Sequence, residues 1–312
     1  MMKMMDLNFV EPPVELVTHF KAHNISLHIK REDLIHPFVS GNKFRKLKYN
    51  LQEAKNNGSK TILTFGGAFS NHIAAVAAAG KLLGFKTIGI IRGEELGVDL
   101  NTTLNHNSTL RFAKEQGMGF HFINREKYRE KDSSEFIEKL KFDFGDFYLI
   151  PEGGTNELAV KGCEEIMTDA ESNFEIICCA VGTGGTISGI INASHSDQKV
   201  LGFPALKGDF LSSEIRNFTS KTNWELVTDY HFGGYAKVNG ELINFLNKFK
   251  RKYQIALDPI YTGKMIFGIF DLIEKSSIPE NSRILAVHTG GLQGIEGMNK
   301  QLSKKKLPLI EI

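Results

Sequence analysis

Cysteine is scarce: three residues in a chain of 312, with no Cys-x-x-Cys pair among them. A disulfide framework is excluded by that count. Cys178 and Cys179 fall inside the run from Glu175 to Val181, which has the character of a buried strand. Reduced core thiols, and with them a cytoplasmic setting, are the economical account of all three. Charge of one sign is scarce too, since Lys and Arg number 38 against 36 for Asp and Glu. That balance supplies no strong field for nucleic acid or a membrane surface, and no such partner is expected. The basic clusters Lys248 to Lys252 and Lys304 to Lys306 read as exposed helix or tail faces. The most apolar segments, such as Ile73 to Gly84, fall short of the ~20 residues that span a bilayer. The opening MMKMMDLNFV holds no apolar run long enough for a secretion signal before Asp6. Internal repeats, low-complexity tracts and Pro/Gly/Ser linkers are also missing, so domains have to be divided by pattern.

What is present is an alternation. Short β-rich runs, Thr61 to Phe65, Thr87 to Ile91, Phe120 to Ile123, Phe147 to Ile150, Ile176 to Val181, Val200 to Phe203 and Ile284 to Val287, are separated by segments of helical character. Hydrophobicity within these runs is continuous rather than alternating, so both faces are covered. That predicts an α/β fold with mostly parallel sheets flanked by helices. The first series ends near Pro151-Glu152-Gly153-Gly154, and a second starts with a helix from Asn156. Two lobes follow, 44–152 forming the smaller and 1–43 together with 153–312 the larger. The working site is expected between them, beyond the carboxyl ends of strands.

Four segments satisfy that rule. In Phe65-Gly66-Gly67-Ala68-Phe69-Ser70-Asn71-His72 a strand breaks at two glycines, and a helix from Ile73 to Leu83 opens behind Ser70 and Asn71, either of which has a plain role as an N-cap. In Gly182-Thr183-Gly184-Gly185-Thr186 three glycines let backbone N–H groups approach an anion, two threonines add hydroxyls, and the following helix aims its positive end at the same point. This suits a phosphate. It is a poor dinucleotide fingerprint, because the third glycine of Gly-x-Gly-x-x-Gly would fall at Ile187. His288-Thr289-Gly290-Gly291 delivers a hydroxyl to a Gly-Gly turn, and Tyr261-Thr262-Gly263-Lys264 places a ring and a hydroxyl beside a glycine; each is also ordinary turn chemistry.

A lysine completes the set. Ser40-Gly41-Asn42-Lys43-Phe44-Arg45-Lys46-Leu47-Lys48 opens a helix whose Leu47 and Leu51 share a face, leaving Arg45, Lys46 and Lys48 free to point to water. Lys43 sits at the first turn, opposed by the positive end of the helix dipole, so local structure gains nothing from its charge. At ~100° per residue Lys46 stays near the face of Lys43, one turn deeper, while Lys48 is directed away. Geometry alone leaves Lys46 a competitor. One lysine, a phosphate cradle, an asparagine, an aromatic ring and a hydroxyl together fit pyridoxal 5'-phosphate, whose carbonyl takes a lysine amine and whose ring is held at two polar edges.

Gly41-Asn42-Lys43, Ser70-Asn71-His72, Gly182-Thr183-Gly184-Gly185-Thr186, Tyr261-Thr262-Gly263-Lys264 and His288-Thr289-Gly290-Gly291, in this order, resemble the D-cysteine desulfhydrase / 1-aminocyclopropane-1-carboxylate deaminase family. That family belongs to the tryptophan-synthase-β-like, fold-type II pyridoxal phosphate enzymes. The resemblance implies Lys43 as the Schiff-base lysine, Asn71 on the ring hydroxyl, and Ser70 at the substrate carboxylate or near the reacting carbon. It implies Gly182, Thr183, Gly184, Gly185 and Thr186 at the phosphate, Tyr261 against the ring with Thr262 beside it, Thr289 at the pyridine nitrogen, and Tyr235 as a second active-site tyrosine. A homodimer is implied as well.

Thr262 and Thr289 side with the desulfhydrases, since the ring-opening deaminases carry Glu and Leu at those places. A hydroxyl holds the pyridine nitrogen protonated less firmly than a carboxylate does, and β-elimination tolerates that weaker electron sink. The expected reaction is β-elimination of D-cysteine or a similar small amino acid to a 2-oxo acid, ammonia and sulfide or thiol. Departures at Ala74-Ala75, where the family has Arg-Gln, and at Leu292-Gln293-Gly294 keep other readings open: ring opening, a non-catalytic cofactor-binding sensor, or a nicotinamide oxidoreductase.

Overall fold

A computed structural model describes residues 9–312. The segment read for a secretion signal lies almost wholly in 1–8, outside the described residues, as does the start of the larger lobe. Among the described residues ten strands form two sheets: β1 (Val14–Phe20), β2 (Ile25–Lys30), β3 (Thr61–Gly67), β4 (Lys86–Arg92), β5 (Gly119–Ile123), β6 (Tyr148–Ile150), β7 (Ile176–Val181), β8 (Lys199–Pro204), β9 (Trp224–Leu226) and β10 (Arg283–Val287). One sheet runs β1-β2-β10-β7-β8-β9 and the other β5-β4-β3-β6. Every pairing is parallel except β1 with β2. This is the two-sheet, mostly parallel α/β architecture that the covered strands implied. Among the described residues no helix is long and apolar enough to cross a membrane.

All seven expected strands are present, with ends shifted by at most two residues. β1, β2 and β9 were not anticipated, and the reason is physical. Ile25, Leu27 and Ile29 alternate with Ser26, His28 and Lys30 in β2, so no continuous apolar run marks it. β1 is a half-exposed edge strand, and β9 is three residues long.

Alternation along β7 has a second result. Cys178 joins the core on one face of the larger sheet and Cys179 the core on the other, so neighbours in sequence are separated by the sheet. All three cysteines are free and buried.

Glycine brings three helices together beneath the cleft. A Cβ on Gly162, in the helix Glu157–Glu164, would lie 2.0 Å from the Arg45 carbonyl oxygen, and one on Gly189, in the helix Gly185–Ala193, 2.6 Å from that of Val160. The helix Asn42–Asn56 meanwhile buries Phe44, Leu47, Leu51 and Ala54 in the core beside the smaller sheet. Its N-terminus and that of Gly185–Ala193 consequently converge. The solvated reading of its basic residues is overturned by the same packing. Arg45 is buried and donates twice to Glu32, Lys46 is buried, and Lys48 pairs with Glu165 at 2.6 Å. Those cations anchor the helix. The clusters Lys248 to Lys252 and Lys304 to Lys306 are largely exposed, as expected.

Candidate active site

The ends of β3, β7 and β10 open on a cleft of about 540 Å³ between the two sheets. Lys43 enters it from the first turn of the helix Asn42–Asn56. Gly41, at φ 63°, makes that entry possible: a Cβ there would lie 2.0 Å from the Thr289 carbonyl oxygen. The Asn42 N–H donates to that oxygen at 3.3 Å, so one backbone contact sets Lys43 and Thr289 in register.

Lys43 Nζ donates to the Gly153 carbonyl at 3.1 Å and Lys46 Nζ to the same carbonyl at 3.0 Å. Lys46 also donates to Thr155 Oγ1 at 2.8 Å and Thr183 Oγ1 at 3.4 Å. Burial, then the Lys46 charge, pushes the Lys43 amine well below the ordinary lysine value. Burial lowers Lys46 as well. Two amines beneath one carbonyl thus have different surroundings: Lys43 faces the cleft, and Lys46 lies under the glycine-rich loop.

That loop is built for an anion. Gly184 adopts φ 86° and Gly185 begins a helix, so unpaired N–H groups and the positive helix end face the cleft side. Lys46 Nζ sits 3.3 Å from where a Gly185 Cβ would stand. Thr186 Oγ1 accepts from Asn42 Nδ2 at 2.8 Å, and the Thr155 and Thr183 hydroxyls are 2.5 Å apart. The far side of the cleft holds what the ring of the cofactor needs. The side chains of Asn71 and Thr289 make no hydrogen bond to any described residue, although both line the cleft. Ser70 caps the helix Asn71–Leu83 by accepting from the Ile73 N–H and keeps its own hydroxyl proton to donate. Tyr261 lies against Gly182, whose Cβ would be 3.2 Å from its ring, and meets Tyr235 edge to face at 6.1 Å between centroids. Burial raises both phenols, which stay protonated near neutral pH. A cradle at one end and unspent polar groups at the other fit pyridoxal phosphate.

Thr262 is not part of this set. Its side chain is fully buried, donating to Asp258 Oδ1 at 2.7 Å and accepting from the Asp258 N–H at 3.1 Å. The hydroxyl is saturated by Asp258 and does not line the cleft. Gly185 lies behind the loop, against Thr155 and Lys46, rather than on the cleft wall. The remaining expected residues, Lys43, Ser70, Asn71, Gly182, Thr183, Gly184, Thr186, Tyr235, Tyr261 and Thr289, all line it. Ala74 and Ala75 are buried on the helix Asn71–Leu83 and lie outside the cleft, so the departure there removes no group from its wall.

Four titratable cleft residues, Lys46, His72, Arg92 and Glu152, lie outside the expected set. Lys46 was left open by helix geometry. His72 is buried, and because Thr64 Oγ1 donates its one proton to the Ile150 carbonyl at 2.7 Å, the His72 Nε2–H is the donor in the 2.8 Å contact with Thr64. Nδ1 is then a lone-pair acceptor, buried without a partner. Burial and the Lys43 and Lys46 charges depress the imidazole well below its usual value, so it remains neutral. Arg92 ends β4 with its guanidinium 5.4 Å from the Tyr128 ring centre, and Tyr128 donates to Glu152 at 2.8 Å. Applying the strand-end rule to β4 as well would have found Arg92, and Glu152 was visible in the segment used only as a lobe boundary.

Two mostly parallel sheets flanked by helices, with a cleft between them, form the fold-type II architecture of pyridoxal phosphate enzymes. The chain belongs to the pyridoxal-phosphate dependent enzyme family, whose pattern matches residues 8–290. It is 31% identical to a Pyrococcus horikoshii protein provisionally named 1-aminocyclopropane-1-carboxylate deaminase, over 91% of this chain and 90% of that one. It is 31% identical to the mitochondrial bifunctional D-cysteine desulfhydrase/1-aminocyclopropane-1-carboxylate deaminase of Arabidopsis thaliana, over 86% of this chain and 73% of the relative. A crystal structure of an ACC deaminase homologue superposes with a TM-score of 0.81 at 30% identity, covering 95% of this chain and 94% of its own.

Proposed function

We propose that this chain is a pyridoxal-phosphate-dependent carbon–sulfur lyase and deaminase that eliminates the β substituent of a small amino acid, D-cysteine first among them. The observation that carries this reading is the pairing of Lys43, an amine held below its ordinary pKa at the cleft wall, with Lys46 beneath the glycine-rich loop. Lys46, Thr183, Thr186 and the helix N-terminus would hold the phosphate, Asn71 and Thr289 would offer hydrogen bonds to the polar edges of the ring, and Tyr261 would stand beside it. Bound cofactor supplies the electron sink that acidifies the α carbon. The protein does the rest. Ser70 and the start of its helix orient the substrate carboxylate. Lys43 Nζ removes the α proton, a task its lowered pKa suits because the neutral amine is then available. The Cβ–S bond breaks with its electron pair on sulfur, sulfide leaves, and the released enamine takes up water to give 2-oxo acid and ammonia. A nicotinamide reading has no support, since Ile187 occupies the place of the third glycine and is buried.

The lobe division at 44–152 belongs to this proposal and is supported by the helix Asn42–Asn56 sharing the smaller sheet's core. A homodimer follows only from the family resemblance, and light scattering of the purified protein tests it. The cytoplasmic setting agrees with three free, buried thiols.

A substrate panel decides the reaction. D-Cysteine or β-chloro-D-alanine is expected to release 2-oxo acid, with sulfide from the former, and 1-aminocyclopropane-1-carboxylate to release none. Ring opening as the fastest reaction would overturn the choice. For the pyridine edge, Thr289→Val is expected to keep the cofactor bound while turnover falls by at least the worth of one hydrogen bond, about 0.5–1.5 kcal/mol. Complete cofactor loss in a folded Thr289→Val protein contradicts the assignment of Thr289.

A further inference from the structure

The motif Tyr261-Thr262-Gly263-Lys264 contains a lysine that the proposed chemistry does not use. Lys264 stands in the first turn of the helix Thr262–Glu274, and only 2% of it is exposed. Its Nζ donates to the carbonyls of His231 at 2.8 Å and Gly234 at 2.9 Å, and it forms no ion pair with any described residue. Those carbonyls belong to the irregular segment that carries Tyr235. Within it Phe232, Gly233, Gly234 and Ala236 adopt φ of 52°, 95°, 113° and 55°. Non-glycine residues avoid that region, so the segment keeps its path only where something outside it imposes the path.

We propose that Lys264 is a positioning residue: by bonding two carbonyls of the 231–236 segment from below, it fixes the strained turn that presents Tyr235 to the cleft. Two carbonyls match the two N–H groups of a neutral amine. An ammonium there has a third N–H for which the described residues offer no acceptor, and it stands in the first turn of a helix, where the dipole opposes it. Burial accordingly lowers the Lys264 pKa to about 8, with the Asp258 charge acting weakly in the other direction. The other titratable groups around it are His231, whose Nδ1 accepts from the Gly233 N–H, Tyr230 with Asp271 and Lys275, Tyr235 on the segment with Tyr261 against it, and Asp229 and Lys237 flanking the segment. Opening the segment hydrates the amine and returns it toward 10.5. The open form thus binds the proton more tightly than the closed one, so protonation favours opening. Closure strengthens as pH rises between those values, by up to roughly tenfold per unit.

The inference rests on the proposed function only for what Tyr235 meets, and amide hydrogen exchange tests it without a substrate. After correction for the intrinsic rate, protection of the amides of 233–237 in the cofactor-loaded protein is expected to rise about tenfold between about pH 8 and about pH 9.5. In Lys264→Met that rise disappears, with the cofactor still bound. A flat wild-type profile overturns the proposal, as does an equal rise in Lys264→Met. Should Lys264→Met fail to fold, the wild-type series decides alone. Failure to turn over any amino acid would count against the proposed function and leave this result standing.

Discussion

Lys43→Ala is expected to lose turnover by at least the roughly 10²–10⁴-fold that a positioned acid–base group contributes, because the same amine is assigned the cofactor and the α proton. Borohydride reduction of the wild type followed by peptide mapping is expected to place the pyridoxyl group on Lys43. Lys46→Ala keeps that attachment. What it loses is a cation under the phosphate cradle, and cofactor affinity is expected to drop by about 1.5–3 kcal/mol, the range for hydrogen bonds to charged groups. The two lysines share the Gly153 carbonyl, so the pair of variants separates attachment from anchoring. A pyridoxyl group found on Lys46, or normal turnover by Lys43→Ala, defeats the mechanism.

Gly41→Ala is the second large effect. The new Cβ would stand 2.0 Å from the Thr289 carbonyl oxygen and 2.9 Å from the Gly290 nitrogen, at φ 63°. Both neighbours are backbone, so neither can swing aside as a side-chain end would. Overpacking and left-handed strain each cost about 1–3 kcal/mol. The denaturation midpoint is expected to fall, and cofactor affinity with it, because Lys43 and Thr289 move apart. Gly240→Ala, where a Cβ meets nothing within 4 Å, serves as the comparison and should stay close to wild type. Equal stability of the two variants would show that the contact at Gly41 is loose.

How far the sequence could be read depended on how local each signal was. Strands covered on both faces announce themselves as apolar runs, and β3, β4, β7 and β10 were found that way. β2 was not, because its apolar residues alternate. Lys43, Ser70, Asn71 and the residues of the Gly182 loop were legible because a strand end, a turn signal and a helix start coincide within a few positions. Thr262 shows the opposite case. Its hydroxyl stands beside Tyr261 in sequence, yet which way it points is decided by Asp258, four residues earlier, whose carboxylate also takes the N–H groups of Ile260, Tyr261 and Thr262. The tautomer of His72 depends on Thr64 giving its proton to Ile150, 86 residues further on, and Lys46 depends on Gly153, Thr155 and Thr183, all more than a hundred residues away. No spacing rule reaches those contacts.

The helix Thr262–Glu274 acts as a shared beam. At its start the Asp258 cap aims Tyr261, and in the same turn Lys264 secures the segment that carries Tyr235. The two contacting tyrosines of the cleft are therefore hung from one stiff support, and a disturbance of that support moves them as a unit. Substitutions at Asp258 and Lys264 should not add as independent faults, since each already shifts the frame on which the other acts. A tilt of this one helix then carries the contacting Tyr235–Tyr261 pair across the cleft together.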